Sequence, residues 1–219
     1  MKEIISTKQK FYRIFYLALA AALSVQAAFA QHHAGGLEKN PAENVTTERI
    51  LRAPEAEPHN WLTYGGGYDN QRYSRLNQLT VKNVSGLKPV WLKQFGIPHG
   101  FETTPIVADG VMYITTGGST SVYALDAKTG KELWHFETVV PEDVAACCDW
   151  VNRGAAIGDG KVFFISLDAQ LYALDAKTGK QIWKQTVGDT RDGITATVAP
   201  LFLKDKVIVG MSGGEYGVR

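Results

Sequence analysis

The stretch Ala124-Leu-Asp-Ala-Lys-Thr-Gly-Lys-Glu-Leu-Trp134 returns as Ala173-Leu-Asp-Ala-Lys-Thr-Gly-Lys-Gln-Ile-Trp183, displaced by 49 residues in a chain of 219. Near-identity at that separation marks an internal structural repeat. Each copy is embedded in β-rich runs: Val111-Met-Tyr-Ile-Thr and Ser121-Val-Tyr-Ala-Leu before Trp134, Val162-Phe-Phe-Ile-Ser and Gln170-Leu-Tyr-Ala-Leu before Trp183. Their composition predicts antiparallel strands. Inside the shared stretch, Asp126 and Asp175 are placed to accept hydrogen bonds from the residues that follow, and Gly130 and Gly179 supply backbone freedom. Asp-Ala-Lys-Thr-Gly-Lys therefore reads as a hairpin connection, with the tryptophan opening the outer strand.

A degenerate earlier copy, Val81-Lys-Asn-Val-Ser-Gly-Leu-Lys-Pro-Val-Trp91, keeps the tryptophan but shifts the glycine and puts Asn83 where the others have Asp. It counts as a further unit. Another starts at Thr195-Ala-Thr-Val-Ala-Pro-Leu-Phe-Leu and Lys206-Val-Ile-Val-Gly-Met, and Arg219 arrives before its outer strands. Several strands per repeat of forty to fifty residues is the pattern of an all-β propeller, here with about three to four blades. An unclosed ring leaves strand edges unpaired, so the chain is expected to be the N-terminal part of a longer protein; if it instead ended at Arg219, it should aggregate or oligomerise.

Lys2, Lys8, Lys10 and Arg13 precede the apolar run Ile14 to Val25, and Ala28-Phe29-Ala30 has the small-x-small form of a cleavage site. Residues 1–30 read as a secretory signal peptide, too short in its apolar run for a membrane span, and no transmembrane segment is expected later. Without them 19 basic side chains face 21 acidic ones, a balance that does not indicate a nucleic-acid partner. Residues 31–58 are polar, carry Pro41, Pro54 and Pro58, and are expected to form a flexible arm that includes His32 and His33. The incomplete propeller is expected over residues 59–219.

Cys147 and Cys148 are adjacent and are the chain's two cysteines. Neighbouring Cα atoms lie about 3.8 Å apart, closer than ordinary disulfides prefer, so a bridge would close a small strained ring and add little loop-closure stability. Export to an oxidising compartment favours pairing, and two unpaired or intermolecular thiols are the alternative. If the pair is bridged, stabilising the fold is a poor reason for it.

The repeats and the cysteine pair together resemble one family, the calcium- and pyrroloquinoline quinone (PQQ)-dependent alcohol dehydrogenases of the bacterial periplasm. These are eight-bladed propellers with tryptophan-docking motifs. The resemblance runs from about Asn60 onward and is carried by the cysteine pair followed by Arg153, by Thr197, and by Ser212-Gly213-Gly214-Glu215-Tyr216-Gly217-Val218-Arg219. Asn60-Trp61 to Ser74 looks like the entry segment, and Thr103-Thr104-Pro105-Ile106-Val107 like the first inner strand. PQQ is a flat o-quinone with three carboxylates, so its pocket needs a stacking floor, fixed donors, a guanidinium and a cation.

By that resemblance, the Cys147–Cys148 ring lies against one face of the quinone, and Arg153 and Glu102 bond at its edge. Thr197 and Ser212 donate to its carboxylates, while Gly213 and Gly214 leave room for the backbone, although many family members carry Ala where Gly214 stands. Glu215 resembles the ligand of the metal, calcium or a lanthanide in its place. The resemblance implies oxidation of a small primary alcohol and transfer of electrons to a cytochrome c, with the catalytic aspartate expected beyond residue 219. Trp91, Trp134 and Trp183 read as docking residues and Trp150 as ambiguous, while His99 and His135 read as isolated surface groups. An alternative of another class is an exported propeller scaffold that binds protein partners without a cofactor, which has no reason to keep the cysteine pair with Arg153 and Glu215.

Overall fold

In the computed structural model, residues 37–146 and 149–217 are described. The expected signal peptide, His32, His33, Cys147, Cys148, Val218 and Arg219 lie outside them. Among the described residues ten strands form three antiparallel sheets. The first is β1 (Ile106–Ala108), β2 (Val111–Thr115), β3 (Ser121–Asp126) and β4 (Glu132–Glu137). The second is β5 (Ala156–Gly158), β6 (Lys161–Ile165), β7 (Gln170–Asp175) and β8 (Gln181–Thr186). A hairpin of β9 (Leu201–Leu203) and β10 (Lys206–Ile208) follows.

Both four-stranded sheets run as meanders in sequence order, and each carries a register shift at the same place, Ala124/Leu125 in one and Ala173/Leu174 in the other. The reason lies in the shared turn. Asp126 Oδ1 accepts from Lys128 N–H, Thr129 N–H and Thr129 Oγ1 at 3.1, 2.8 and 2.7 Å. Asp175 does the same with Lys177 and Thr178 at 3.1, 2.7 and 2.7 Å. Gly130 and Gly179 close the two turns at φ +70° and +71°, a region open to glycine at little cost. These contacts hold the Asp126 carboxyl below its ordinary pKa, the Thr129 hydroxyl being the first cause.

The turn glycines have a second use. Trp134 lies on the turn of the next sheet: its ring occupies the space a Cβ on Gly179 would take, 2.6 Å away, and its Nε1 donates to the Ala176 carbonyl at 3.1 Å. Tyr113 Oη donates to the same carbonyl at 3.1 Å, and burial raises its phenol pKa. Trp91 repeats the arrangement one sheet earlier, against Gly130 and with Nε1 to the Ala127 carbonyl at 3.2 Å. The sheets then pack face to face through Phe136, Phe164 and Tyr172, with ring centroids 4.8 to 6.0 Å apart.

Trp183 differs from its counterpart: Trp134 is 2% exposed and Trp183 36%, on a strand whose six residues are all exposed. Phe163 lies beside it at 5.9 Å. The early copy also departs from expectation. Residues 87–98 form no strand, and Val90 and Leu92 are exposed: the segment touches the first sheet through side chains, Trp91 on the Ala127 carbonyl, Lys93 on Glu132 and Phe95 on Tyr123, without backbone pairing to a neighbouring strand. Two sheets are thus complete, with a hairpin beginning the next unit.

The flexible arm expected for residues 31–58 is corrected over its described part. Thr47–Ala56 form a helix, α1, capped by Thr46, whose Oγ1 accepts from Arg49 N–H at 3.2 Å. Ala42, Val45, Ile50 and Ala53 are buried in the same core as Ile106, Ala108 and Ile157. Arg49 ties the helix to the β1–β2 turn, reaching Glu57 at 2.7 Å and Asp109 at 2.6 Å. Among the described residues no helix is long and apolar enough to cross a membrane.

Candidate functional site

The inner strands β1, β5 and β9 are entered by three chain segments that lie side by side. Thr104 N–H donates to the Arg153 carbonyl at 3.0 Å, and Arg153 N–H donates to the Thr197 carbonyl at 3.0 Å. Thr104 and Gly154 pair as a parallel bridge, and Thr195 and Ser212 as an antiparallel one. Backbone pairing thereby brings together residues spread over more than a hundred positions: Glu102, Arg153, Thr197 and Ser212.

Arg153 is central. Its Nη1 donates to Thr197 Oγ1, and its Nη2 lies 3.2 Å from Glu102 Oε2. The Arg153 and Glu102 side chains are 43% and 46% exposed. An ion pair that open contributes about 0–1 kcal/mol, so stabilising the fold does not account for it. It leaves a guanidinium fixed in direction but accessible to an anion, which suits planar recognition of a carboxylate.

Asn152 supports this arrangement from below and was not legible as a site residue. It is 1% exposed; its Nδ2 donates to the Ile165 carbonyl at 2.7 Å and its Oδ1 accepts from Gly154 N–H at 3.0 Å. The backbone on either side of Arg153 is fixed by these bonds. A buried Asn bonded to backbone at both ends next to an exposed Arg is the signal, and only the structure displays it.

Ser212 is held at 2.8 and 3.1 Å by backbone bonds to Thr195, and Gly213 follows at φ +130°. A Cβ on Gly213 would stand 2.4 Å from the Gly193 carbonyl oxygen, so close approach of two backbones requires glycine there. At Gly214 a Cβ would meet nothing within 4 Å. An alanine there would cost no space. Glu215 is exposed on the short turn Gly214–Tyr216.

Cys147 and Cys148 are outside the described residues, so the structure is silent on their bridge and their place against a ring. Among the described residues no group of three His, Cys, Asp or Glu side chains gathers to hold a metal. Glu215 offers one oxygen ligand of the kind a hard cation takes. The donor set fits PQQ in kind: an accessible guanidinium and two hydroxyls for carboxylates, beside a glycine that lets backbones close in. A groove of about 520 Å³ lined by Glu38, Glu43, Asp159, Lys161 and Lys177 shares no residue with this cluster, and its mixed charges select no ligand.

The fold and site define a class: a propeller of tryptophan-docked repeats whose inner-strand entries gather a polar, half-exposed cluster. A model of the PQQ glucose/ethanol/alcohol dehydrogenase β-propeller domain matches residues 61–216. The chain belongs to this family. It is 48% identical over 184 residues to the quinoprotein alcohol dehydrogenase PedE of Pseudomonas putida, covering 80% of this chain and 29% of that protein. It is 46% identical over 169 residues to the lanthanide-dependent methanol dehydrogenase of Methylacidiphilum fumariolicum, covering 75% and 28%.

Among solved structures, a quinohemoprotein alcohol dehydrogenase from Comamonas testosteroni superposes with a TM-score of 0.76 at 36% identity, covering 83% of this chain and 28% of that one. A europium-containing methanol dehydrogenase gives 0.72 at 44% identity, covering 77% and 30%. The chain thus spans less than a third of the length of these relatives.

Proposed function

We propose that this chain supplies one side of the cofactor site of an exported, PQQ-dependent alcohol dehydrogenase. The observation that carries the reading is the Glu102–Arg153–Thr197 set, held by backbone pairing of three inner-strand entries in a chain of the PQQ dehydrogenase family. When bound, PQQ supplies the two-electron acceptor for oxidation of the alcohol, with a divalent or trivalent cation as Lewis acid beside it.

The chain's own residues then have separable tasks. Arg153 binds a carboxylate at the edge of the cofactor and is oriented by Glu102 and Thr197. Thr197 and Ser212 donate hydrogen bonds that fix the cofactor in its plane, and Glu215 contributes an oxygen to calcium or a lanthanide. Cys147 and Cys148, as a vicinal disulfide, form an apolar floor that keeps water from one face. None of these residues is assigned the base that removes the alcohol proton.

The secretory-signal pattern of residues 1–30 supports a reaction outside the cytoplasm in this reading. Periplasmic location makes a cytochrome c the fitting electron acceptor and a small primary alcohol the fitting substrate. The test is alcohol-dependent reduction of an artificial acceptor dye by the full-length protein, with and without added PQQ and calcium or a lanthanide. Activity that requires both additions is expected. A full-length, folded protein that binds no PQQ and oxidises no alcohol would move the function to the partner-binding scaffold.

A further inference from the structure

Three loops converge just outside the Arg153 cluster. Asp149, four residues before Arg153, accepts hydrogen bonds from Gly100 N–H at 2.8 Å through Oδ2 and from Trp150 N–H at 2.7 Å through Oδ1. Its Oδ1 also lies 3.1 Å from His99 Nδ1. The two backbone donors, and then His99, hold this carboxyl below its ordinary pKa. His99 stacks on the Trp150 ring at 5.7 Å with 16° between planes. Beneath them, Gly118 N–H donates to the Trp150 carbonyl at 2.9 Å. A Cβ on Gly117 would fall 2.2 Å from that carbonyl oxygen and 2.8 Å from the Gly100 oxygen.

The junction is built to tolerances that substitution would disturb, yet stability does not explain it. The His99 and Asp149 side chains are 36% and 47% exposed, and a pair in that setting adds little to folding. Asp149 also holds φ +86°, a left-handed backbone that non-glycine residues seldom adopt and that Asp tolerates better than most. Unusual backbone at a solvent-facing residue points to a task of alignment. The two segments it joins lead, after three residues from His99 and four from Asp149, into Glu102 and Arg153.

We propose that Asp149, with His99, is a positioning pair that sets the separation of Glu102 and Arg153 and through it the affinity for PQQ. This rests on the cofactor reading above. Asp149 touches no cofactor in this account. It fixes the 99–102 segment against the 149–153 segment, so that the guanidinium meets a carboxylate already aligned by Glu102 and Thr197. Pre-alignment lowers the ordering cost of binding, which is where a remote contact gains affinity.

The test uses the full-length protein stripped of cofactor, with PQQ titrated in the presence of calcium and binding read by quenching of tryptophan fluorescence. Asp149→Ala is expected to weaken PQQ binding about tenfold and His99→Phe by less, since the ring still stacks on Trp150. In an Arg153→Ala background the Asp149→Ala loss should vanish, because the pair acts through Arg153. An Asp149→Ala affinity within about twofold of wild type overturns the proposal, as does an undiminished loss in the Arg153→Ala background. If Asp149→Ala does not fold, Asp149→Asn carries the same test with a smaller loss, since it keeps one acceptor oxygen. Wild-type protein that binds no PQQ sinks the cofactor reading itself, whereas wild-type binding with an inert Asp149 sinks only the positioning role.

Discussion

The outer and inner rims of the two complete sheets obey opposite rules. At the outer rim the repeats are almost copies: Asp126 and Asp175 make the same three bonds, Gly130 and Gly179 take the same φ, and each turn receives a tryptophan ring. At the inner rim the corresponding strand entries, with that of the following hairpin, diverge into Glu102-Thr103-Thr104, Asn152-Arg153-Gly154 and Thr197-Val198-Ala199. Backbone pairing there is retained while the side chains differ. Repetition therefore makes the scaffold, and divergence at matched positions makes an asymmetric site that a symmetric ring could not offer.

If that division holds, substitutions at the two rims should separate stability from cofactor binding. The largest effect is expected at the outer rim. Trp134→Ala removes a ring that is 2% exposed and takes away one of the two donors to the Ala176 carbonyl, so unfolding by denaturant should show a loss of about 3–5 kcal/mol. A stable Trp134→Ala protein with impaired PQQ binding would reverse the assignment of the rims.

At the inner rim, Arg153→Ala should leave the thermal midpoint nearly unchanged, because the Arg153–Glu102 pair is exposed. PQQ affinity should fall by about 1.5–3 kcal/mol, the range for a hydrogen bond to a charged group, measured by equilibrium titration. A large fall in stability instead would make Arg153 part of the scaffold.

Next in size is the Arg49 tie between α1 and the first sheet. Arg49 first, against the opposing cost of burial, holds the Glu57 and Asp109 carboxyls below their ordinary pKa values. Depressed carboxylates stabilise the fold at pH above their unfolded values of about 4, and that contribution is lost as pH falls through the lower folded values. Arg49→Ala should therefore cost about 1 kcal/mol near neutral pH and have progressively less effect in acid, as followed by thermal melts across pH. A difference that grows in acid contradicts the tie.

The smallest effect belongs to Gly214→Ala. With open space around the new methyl group, stability and PQQ affinity should both change by less than about 0.5 kcal/mol. By contrast, alanine at Gly213 faces the Gly193 carbonyl, so a comparison of the two variants sharpens where the inner rim is tight.

The outer rim was readable in the sequence because its chemistry is local. Asp, Thr and Gly within one turn determine their own geometry, and the 49-residue return of the pattern announces the sheets. The Arg153 cluster was named through resemblance, since nothing in the sequence alone pairs Glu102 with a residue fifty positions away. The same distance hid the junction at Asp149: His99 reads as isolated until the strand entries align. Helix α1 was missed because its apolar stripe is narrow, Ile50 and Ala53 among charged residues, and Pro54 in its last turn imitates a loop. At Trp91 the docking expected from the motif is present, but the further sheet it implies does not form among the described residues, because a strand requires a neighbour and the motif specifies only the contact.

The account turns on what the inner rim holds, and the most direct measurement is a structure of the full-length protein with PQQ and its cation bound. The account predicts a PQQ carboxylate within hydrogen-bond distance of the Arg153 guanidinium, Thr197 and Ser212 on neighbouring oxygens, and the cation against Glu215. PQQ seated elsewhere, with Arg153 still engaged only by Glu102 and Thr197, would contradict it.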